Sequence, residues 1–193
     1  MKKIIFVLLI VLVAGKSFAQ SGYSLPLPEQ WKSETIPFPI DFAKSIPYSG
    51  IEEIRFTPGW GDAHSNDYWS YTFLWFVDGT PALNADTLSN HMMSYFNGLY
   101  QSNKPKTVDS KVVTAVQIEK VATATGDQET YSGKLATLNF LTGQPIRFFA
   151  TIHVQNYPNA KQSAIFFEIS PKPYSNPVWQ ELDGVVQGFQ LQK

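Results

Sequence analysis

Cysteine is absent from all 193 residues. Without it the chain forms no disulfide, no thiolate metal site and no cysteine nucleophile, and offers no thiol for a lipid anchor. Lysine and arginine clusters are missing as well. The formal charge is −1, and with no basic patch neither nucleic acid nor an anionic lipid surface is expected as the main partner. The hydrolase motifs G-x-S-x-G and S-x-x-K do not occur. No phosphate loop or dinucleotide fingerprint is present, because Gly59-Trp60-Gly61 lacks a third glycine and a strand-to-helix setting. Glu52 and Glu53 are adjacent on an extended segment, so they point to opposite faces and cannot flank one scissile bond. The sequence therefore assigns no catalytic residue, no metal set and no cofactor.

Long apolar runs are also lacking. The N-terminal one, Ile4 to Ala14, has 11 residues, against the roughly 20 that a spanning helix needs. Preceded by Lys2 and Lys3 and followed by Ser17-Phe18-Ala19, it reads as a secretory signal peptide over residues 1–19. Gln20 would then be the first mature residue. Lys2, Lys3 and Lys16 would leave with the leader, so 12 basic residues would face 16 acidic ones, a charge of −4. An exported protein of the periplasm or the medium is expected, with no stable membrane insertion once the signal is removed.

What the chain does have is aromatic bulk, 15% of residues, enough for the core of one domain. Residues 20–50 are punctuated by Pro26, Pro28, Pro37, Pro39 and Pro47, which rules out a long helix. They read as an irregular arm pinned by Trp31, with the alternation of Phe38, Ile40 and Phe42 suggesting a short edge strand. Residues 51–193 read as a single domain. Its organising stretch is Ile51 to Gly79, two strands joined by a polar, Gly-rich loop and holding three of the five tryptophans. On the second strand Trp69, Tyr71, Phe73, Trp75 and Val77 share one face. The other face turns apolar toward its end, as a central strand covered on both sides requires.

A helix is expected from Asp86 or Thr87 to about Gln101, with the stripe Leu88, Met92, Tyr95, Phe96 and Leu99. From Lys111 to Ser170 four β-rich runs joined by Gly, Asn and Asp turns predict sequential antiparallel pairing. Ser175-Asn176-Pro177 then opens a C-terminal helix, in which Gly184 and Gly188 would allow a close approach to the sheet. The assembled order is an α+β domain: one twisted, largely antiparallel sheet of about six strands with two main helices.

The densest set of chemically capable groups lies in and beside the loop 58–67. Asp62, His64 and Asp67 offer oxygen and imidazole ligands within six residues. Gly, Asp, Asn and Ser are equally what such a loop uses for positive φ and local side-chain bonds. The spacing matches no metal motif, so turn chemistry is the preferred reading. Arg55 and His153 would join these groups only if the sheet brought their faces together. Trp60, with Tyr68, Tyr157 and Tyr174, lies where an exposed ring would stack on a sugar or anchor a partner, although core packing or loop pinning is the preferred reading of these rings. The candidate binding residues are thus Arg55, Trp60, Asp62, His64, Asp67 and His153.

The second half, from Thr125-Gly126 through Tyr131–Phe140, Phe148–Val154, Ala164–Ile169 and the closing VWQELDGVVQGFQ, resembles the PsbP/Mog1-like domains. That resemblance implies an antiparallel sheet finished by a C-terminal helix, and an accessory or partner-binding role without catalysis. The stretch IEEIRFTPGWGDAHSNDYWSYTFLWFVDG resembles a family of uncharacterised secreted bacterial proteins, which implies export and no particular activity. The function expected is a secreted, non-catalytic domain that binds a protein, a glycan or a small ligand. A metal-assisted hydrolase using Asp62, His64 and His153, and a carbohydrate-binding module, are the alternatives.

Overall fold

The computed structural model describes residues 22–104 and 113–192. The expected leader and the start of the β-rich stretch at Lys111 lie outside the described residues. The chain runs through β1 (Tyr23–Ser24), β2 (Lys32–Pro37), β3 (Gly50–Phe56), β4 (Tyr71–Asp78), α1 (Ala85–Asn103), β5 (Ala115–Lys120), β6 (Glu129–Leu138), β7 (Pro145–Tyr157), β8 (Gln162–Ser170), α2 (Val178–Gln187) and β9 (Gln190–Leu191). It is an α+β fold. Seven strands form one antiparallel sheet in the order β2-β3-β4-β8-β7-β6-β5, and β1 pairs with β9 in a separate two-stranded ribbon. No described helix is long and apolar enough to cross a membrane.

The seventh strand of the main sheet, where about six were expected, is β2. Its residues, KSETIP, are almost wholly exposed, so they carry no apolar alternation. Backbone pairing with β3, from Lys32 opposite Phe56 to Pro37 opposite Ile51, makes the strand. Lysine and proline are the residues that blunt such an edge. The edge strand therefore lies before Phe38, Ile40 and Phe42. Those three side chains instead wrap beneath α1, where Ile40 is buried and Phe38 and Phe42 pack on the main core.

β4 is central, as its composition requires. Its neighbours are β3 and β8, and every residue from Tyr71 to Val77 is buried. Tyr71, Phe73, Trp75 and Val77 face α1, together with Ile165, Phe167 and Ile169 of β8. Leu74 and Phe76 face the opposite way, with Ala164, Phe166 and Val186 of α2. A sheet covered on both faces by unequal layers results, the α1 side holding most of the core.

Asn84 caps α1, its Oδ1 accepting from the Thr87 amide at 2.8 Å, two residues before the expected start. Leu88, Met92, Tyr95, Phe96 and Tyr100 are its buried residues. Asn176 supplies the cap before α2, its Oδ1 accepting from the Val178 amide at 3.0 Å. The glycines of α2 act differently from the expectation. A Cβ at Gly184 would meet nothing within 4 Å, whereas one at Gly188 would lie 2.4 Å from Pro26 Cγ. The close approach is thus to the N-terminal arm.

Candidate functional site

The loop between β3 and β4 is a run of turns. The Trp60, Asp62, Ser65, Tyr68 and Ser70 amides each donate to a carbonyl three residues back. Asp62 Oδ1 accepts from the His64 amide at 2.9 Å, and Ser65 Oγ from the Asp67 amide at 3.1 Å. Thr57 Oγ1, buried at the loop base, reaches the carbonyls of Asp67 and Ser70. Asp62 and His64 are exposed, and the Asp62 carboxylate is used within the loop. Turn chemistry accounts for the Asp62 side chain.

The loop's tryptophans do something else. The Trp69 amide donates to the Trp60 carbonyl at 2.9 Å, which folds the loop inward over the α1 side of the sheet. Trp69 has φ 54°, a left-handed backbone that costs a bulky residue on the order of 1–2 kcal/mol. In return its indole is buried, 4.9 Å from the Trp60 ring, 5.1 Å from Phe140 and 5.5 Å from Phe148, centroid to centroid.

Beside these rings lies a pocket of about 270 Å³. β2 gives it Glu34 and Ile36, β3 Ile54 and Phe56, the loop Trp60 and Trp69, and β4 Tyr71. α1 adds Tyr95, Leu99 and Asn103, and Phe42 and Phe140 complete the wall. Aromatic rings therefore dominate the wall, with a carboxylate and an amide among the lining groups.

The pocket's polar chemistry is one-sided. Trp60 Nε1, Trp69 Nε1 and Tyr71 Oη are all buried and have no hydrogen-bond partner. Burial, together with the nearby Glu52, raises the Tyr71 pKa far above the usual phenol value, so the hydroxyl stays protonated. The Tyr95 hydroxyl is committed elsewhere, donating to Glu52 Oε1 at 2.7 Å, while Trp75 Nε1 donates to Oε2 at 2.8 Å. Three residues of the pocket wall thus each keep a buried donor without a partner. A buried unsatisfied donor costs about 1–3 kcal/mol, so three together are a large fraction of an ordinary domain's stability. Native structures keep few such groups, and each calls for a reason.

The remaining predicted residues do not join Trp60. Arg55, 6% exposed, turns to the α2 side. Its guanidinium donates to the Pro26 carbonyl at 2.9 Å and to Glu53 Oε2 at 2.6 Å, holding the N-terminal arm on the sheet. His153 also faces the α2 side, its Nδ1 2.8 Å from Asp127 Oδ2. Burial pulls its pKa down, but the bond to Asp127 and the influence of Glu168 outweigh that and lift it to about 9. Neither residue shares a hydrogen bond or ion pair with Asp62, His64 or Asp67 among the described residues. Tyr68 and Tyr174 are pinned, the first by Asn139 Nδ2 at 2.7 Å and the second by donating to the Ala150 carbonyl at 2.7 Å. Tyr157 packs on Phe189 and donates to Gln155.

Sequence reasoning placed Trp69 and Tyr71 in the core, which is correct for their rings and silent about their polar ends. The usable signal was two indoles and a phenol close together in sequence, at Trp60, Trp69 and Tyr71. No protein-family model matches the chain, and no curated protein matches it.

Proposed function

We propose that this chain is an exported, non-catalytic domain that binds a small neutral ligand in the pocket between α1 and β2–β4. The observation that carries the reading is an aromatic cavity with three wall residues, Trp60, Trp69 and Tyr71, that each hold a buried donor without a partner. Ligand sites are typically apolar concavities with a few placed polar groups, and this pocket lies near the small end of their size range. The unpartnered indole and phenol donors call for acceptor oxygens on the ligand, and ring walls call for a flat, largely apolar body. Glu34 in the lining disfavours an anion. A ring compound with carbonyl or ether oxygens has the complementary chemistry. Strained Trp69 supports the same reading, since left-handed backbone at a bulky residue clusters at ligand-holding sites. The resemblance to PsbP/Mog1-like domains, with the accessory role it implies, points the same way, as does the signal-like leader for export.

The test is a tryptophan-fluorescence titration with a panel of neutral aromatic ketones, quinones and lactones. Binding compounds should quench saturably, and Trp69→Phe or Tyr71→Phe should weaken them about 5- to 30-fold, the value of one hydrogen bond of about 1–2 kcal/mol. Tyr71→Phe should at the same time stabilise the ligand-free protein by about 1 kcal/mol, because it removes a buried hydroxyl with no partner. Opposite signs in the two measurements identify a donor kept for a ligand. A destabilised Tyr71→Phe protein, or a panel with no saturable quenching, would sink the reading.

A further inference from the structure

β8 reads QSAIFFEIS, and from Ser163 onward every residue is buried. Glu168 is the one ionisable side chain in it. It stands on the α2 face of the sheet, opposite Thr72 of β4 and Thr151 of β7, with His153 one step along the same face. A buried carboxylate is expensive unless it is paired and hydrogen-bonded. Glu168 nevertheless has Oε1 without a partner.

His153 is 4% exposed and oriented from behind. Asp127, whose side chain is 1% exposed, accepts from Thr130 Oγ1 at 2.6 Å and Gln155 Nε2 at 3.2 Å, and lies 2.8 Å from His153 Nδ1. An acceptor-only carboxylate keeps a proton on Nδ1, so a metal would bind at Nε2, which faces Glu168, by displacing the second ring proton. That nitrogen has no hydrogen-bond partner, and the gap from Nε2 to Glu168 Oε2 is 3.8 Å. The distance exceeds a hydrogen bond. It fits two ligands sharing one ion, because donors each about 2.1 Å from a metal lie at most about 4.2 Å apart.

Asp183 of α2 closes the group. One ligand atom from each of His153, Glu168 and Asp183 lies within 4.8 Å of the others, so a small movement of the Asp183 side chain completes three-fold ligation. Three carboxylates then face one imidazole, an excess of negative charge that a divalent cation balances. A carboxylate behind the histidine is also the arrangement that orients metal-bound imidazoles.

We propose that His153, Glu168 and Asp183 form a site for a divalent first-row transition metal, with Asp127 as the positioning residue behind His153. One imidazole and two carboxylates suit borderline cations such as Zn²⁺, Mn²⁺, Fe²⁺ or Co²⁺. The site lies on the sheet face opposite the aromatic pocket and is independent of it.

The test uses the whole protein, stripped with a chelator and titrated with Co²⁺ while the visible d–d absorption is followed, then back-titrated with Zn²⁺. One equivalent of Co²⁺ should saturate the signal, and Zn²⁺ should displace it. Asp183→Asn, a change outside the sheet core, should keep the circular dichroism spectrum and weaken Co²⁺ at least tenfold. Asp127→Asn should weaken it 10- to 100-fold. His64→Ala, in the exposed β3–β4 loop, should leave binding unchanged. The proposal is overturned if folded wild-type protein shows no saturable Co²⁺ or Zn²⁺ binding up to millimolar metal. Asp183→Asn binding like wild type, or binding lost in His64→Ala, would overturn it too.

Discussion

At the scale of single residues, the most consequential feature outside the two sites is Glu52. It is fully buried on the α1 side, held by Trp75 and Tyr95, and burial pushes its pKa up to about 7. An acid with a raised folded-state pKa binds its proton more tightly folded than unfolded. Its stability contribution is therefore full below the unfolded value of about 4.5 and lost as pH rises to about 7. The shift corresponds to on the order of 3 kcal/mol over that window. Glu52→Gln removes the titration. The amide oxygen can still accept from Trp75, and the Tyr95 hydroxyl can switch to accepting. Denaturant melts from pH 4 to 8 should show wild type losing stability relative to Glu52→Gln as pH rises. Parallel curves would mean that Glu52 is ionised throughout. From the sequence, Glu52 and Glu53 were separable only by face. Which face was buried depended on where α1 docked.

Among the elements, α1 and the N-terminal arm share the tightest approach. A Cβ on Gly98 would come within 1.8 Å of the Phe42 carbonyl oxygen. Alanine at a helix interior gains roughly 1 kcal/mol in propensity over glycine, but overpacking costs about 1–3 kcal/mol or more, and a backbone obstacle cannot rotate away. Gly98→Ala should therefore destabilise, by about 2 kcal/mol in urea melts. Because Phe42 lines the aromatic pocket, the same substitution should also change tryptophan emission in the folded state. An unchanged or raised midpoint would show that the arm shifts freely. β2 makes the complementary point. Its six residues have no period that a sequence reading can use, and its existence depends on the free edge that β3 offers.

For the molecule as described, the first and last strands are joined across the α2 face. β1 pairs with β9, Tyr23 Oη donates to Glu53 Oε1 at 2.7 Å, and Arg55 ties Glu53 to the carbonyls of Leu25 and Pro26. This largely buried cluster is the clasp between arm, sheet and C-terminus. Arg55→Met leaves Glu53 without its cation and should cost about 3–5 kcal/mol. Arg55→Met with Glu53→Gln should recover part of the loss, which a double-mutant cycle measures. Additive costs would show that Arg55 acts only through its packing.

Much of the architecture was legible in advance because periodicity and turn chemistry are local. The apolar face of β4, the α1 stripe and the four-strand meander follow from side-chain spacing alone, and the α+β class follows from their order. The sites were legible only in part. Trp60 was singled out and lines the aromatic pocket, while Asp62 and His64 lie exposed in their loop. His153 was visible as a polar residue on a strand, whereas Glu168 was passed over within an apolar strand. Their meeting with Asp127 and Asp183 joins residues 127, 153, 168 and 183 through strand register and the docking of α2. The sequence by itself determined which faces are apolar and where the chain turns. Only the tertiary structure decided which polar atoms were left without partners, because satisfaction of a buried donor or carboxylate depends on neighbours brought from distant parts of the chain.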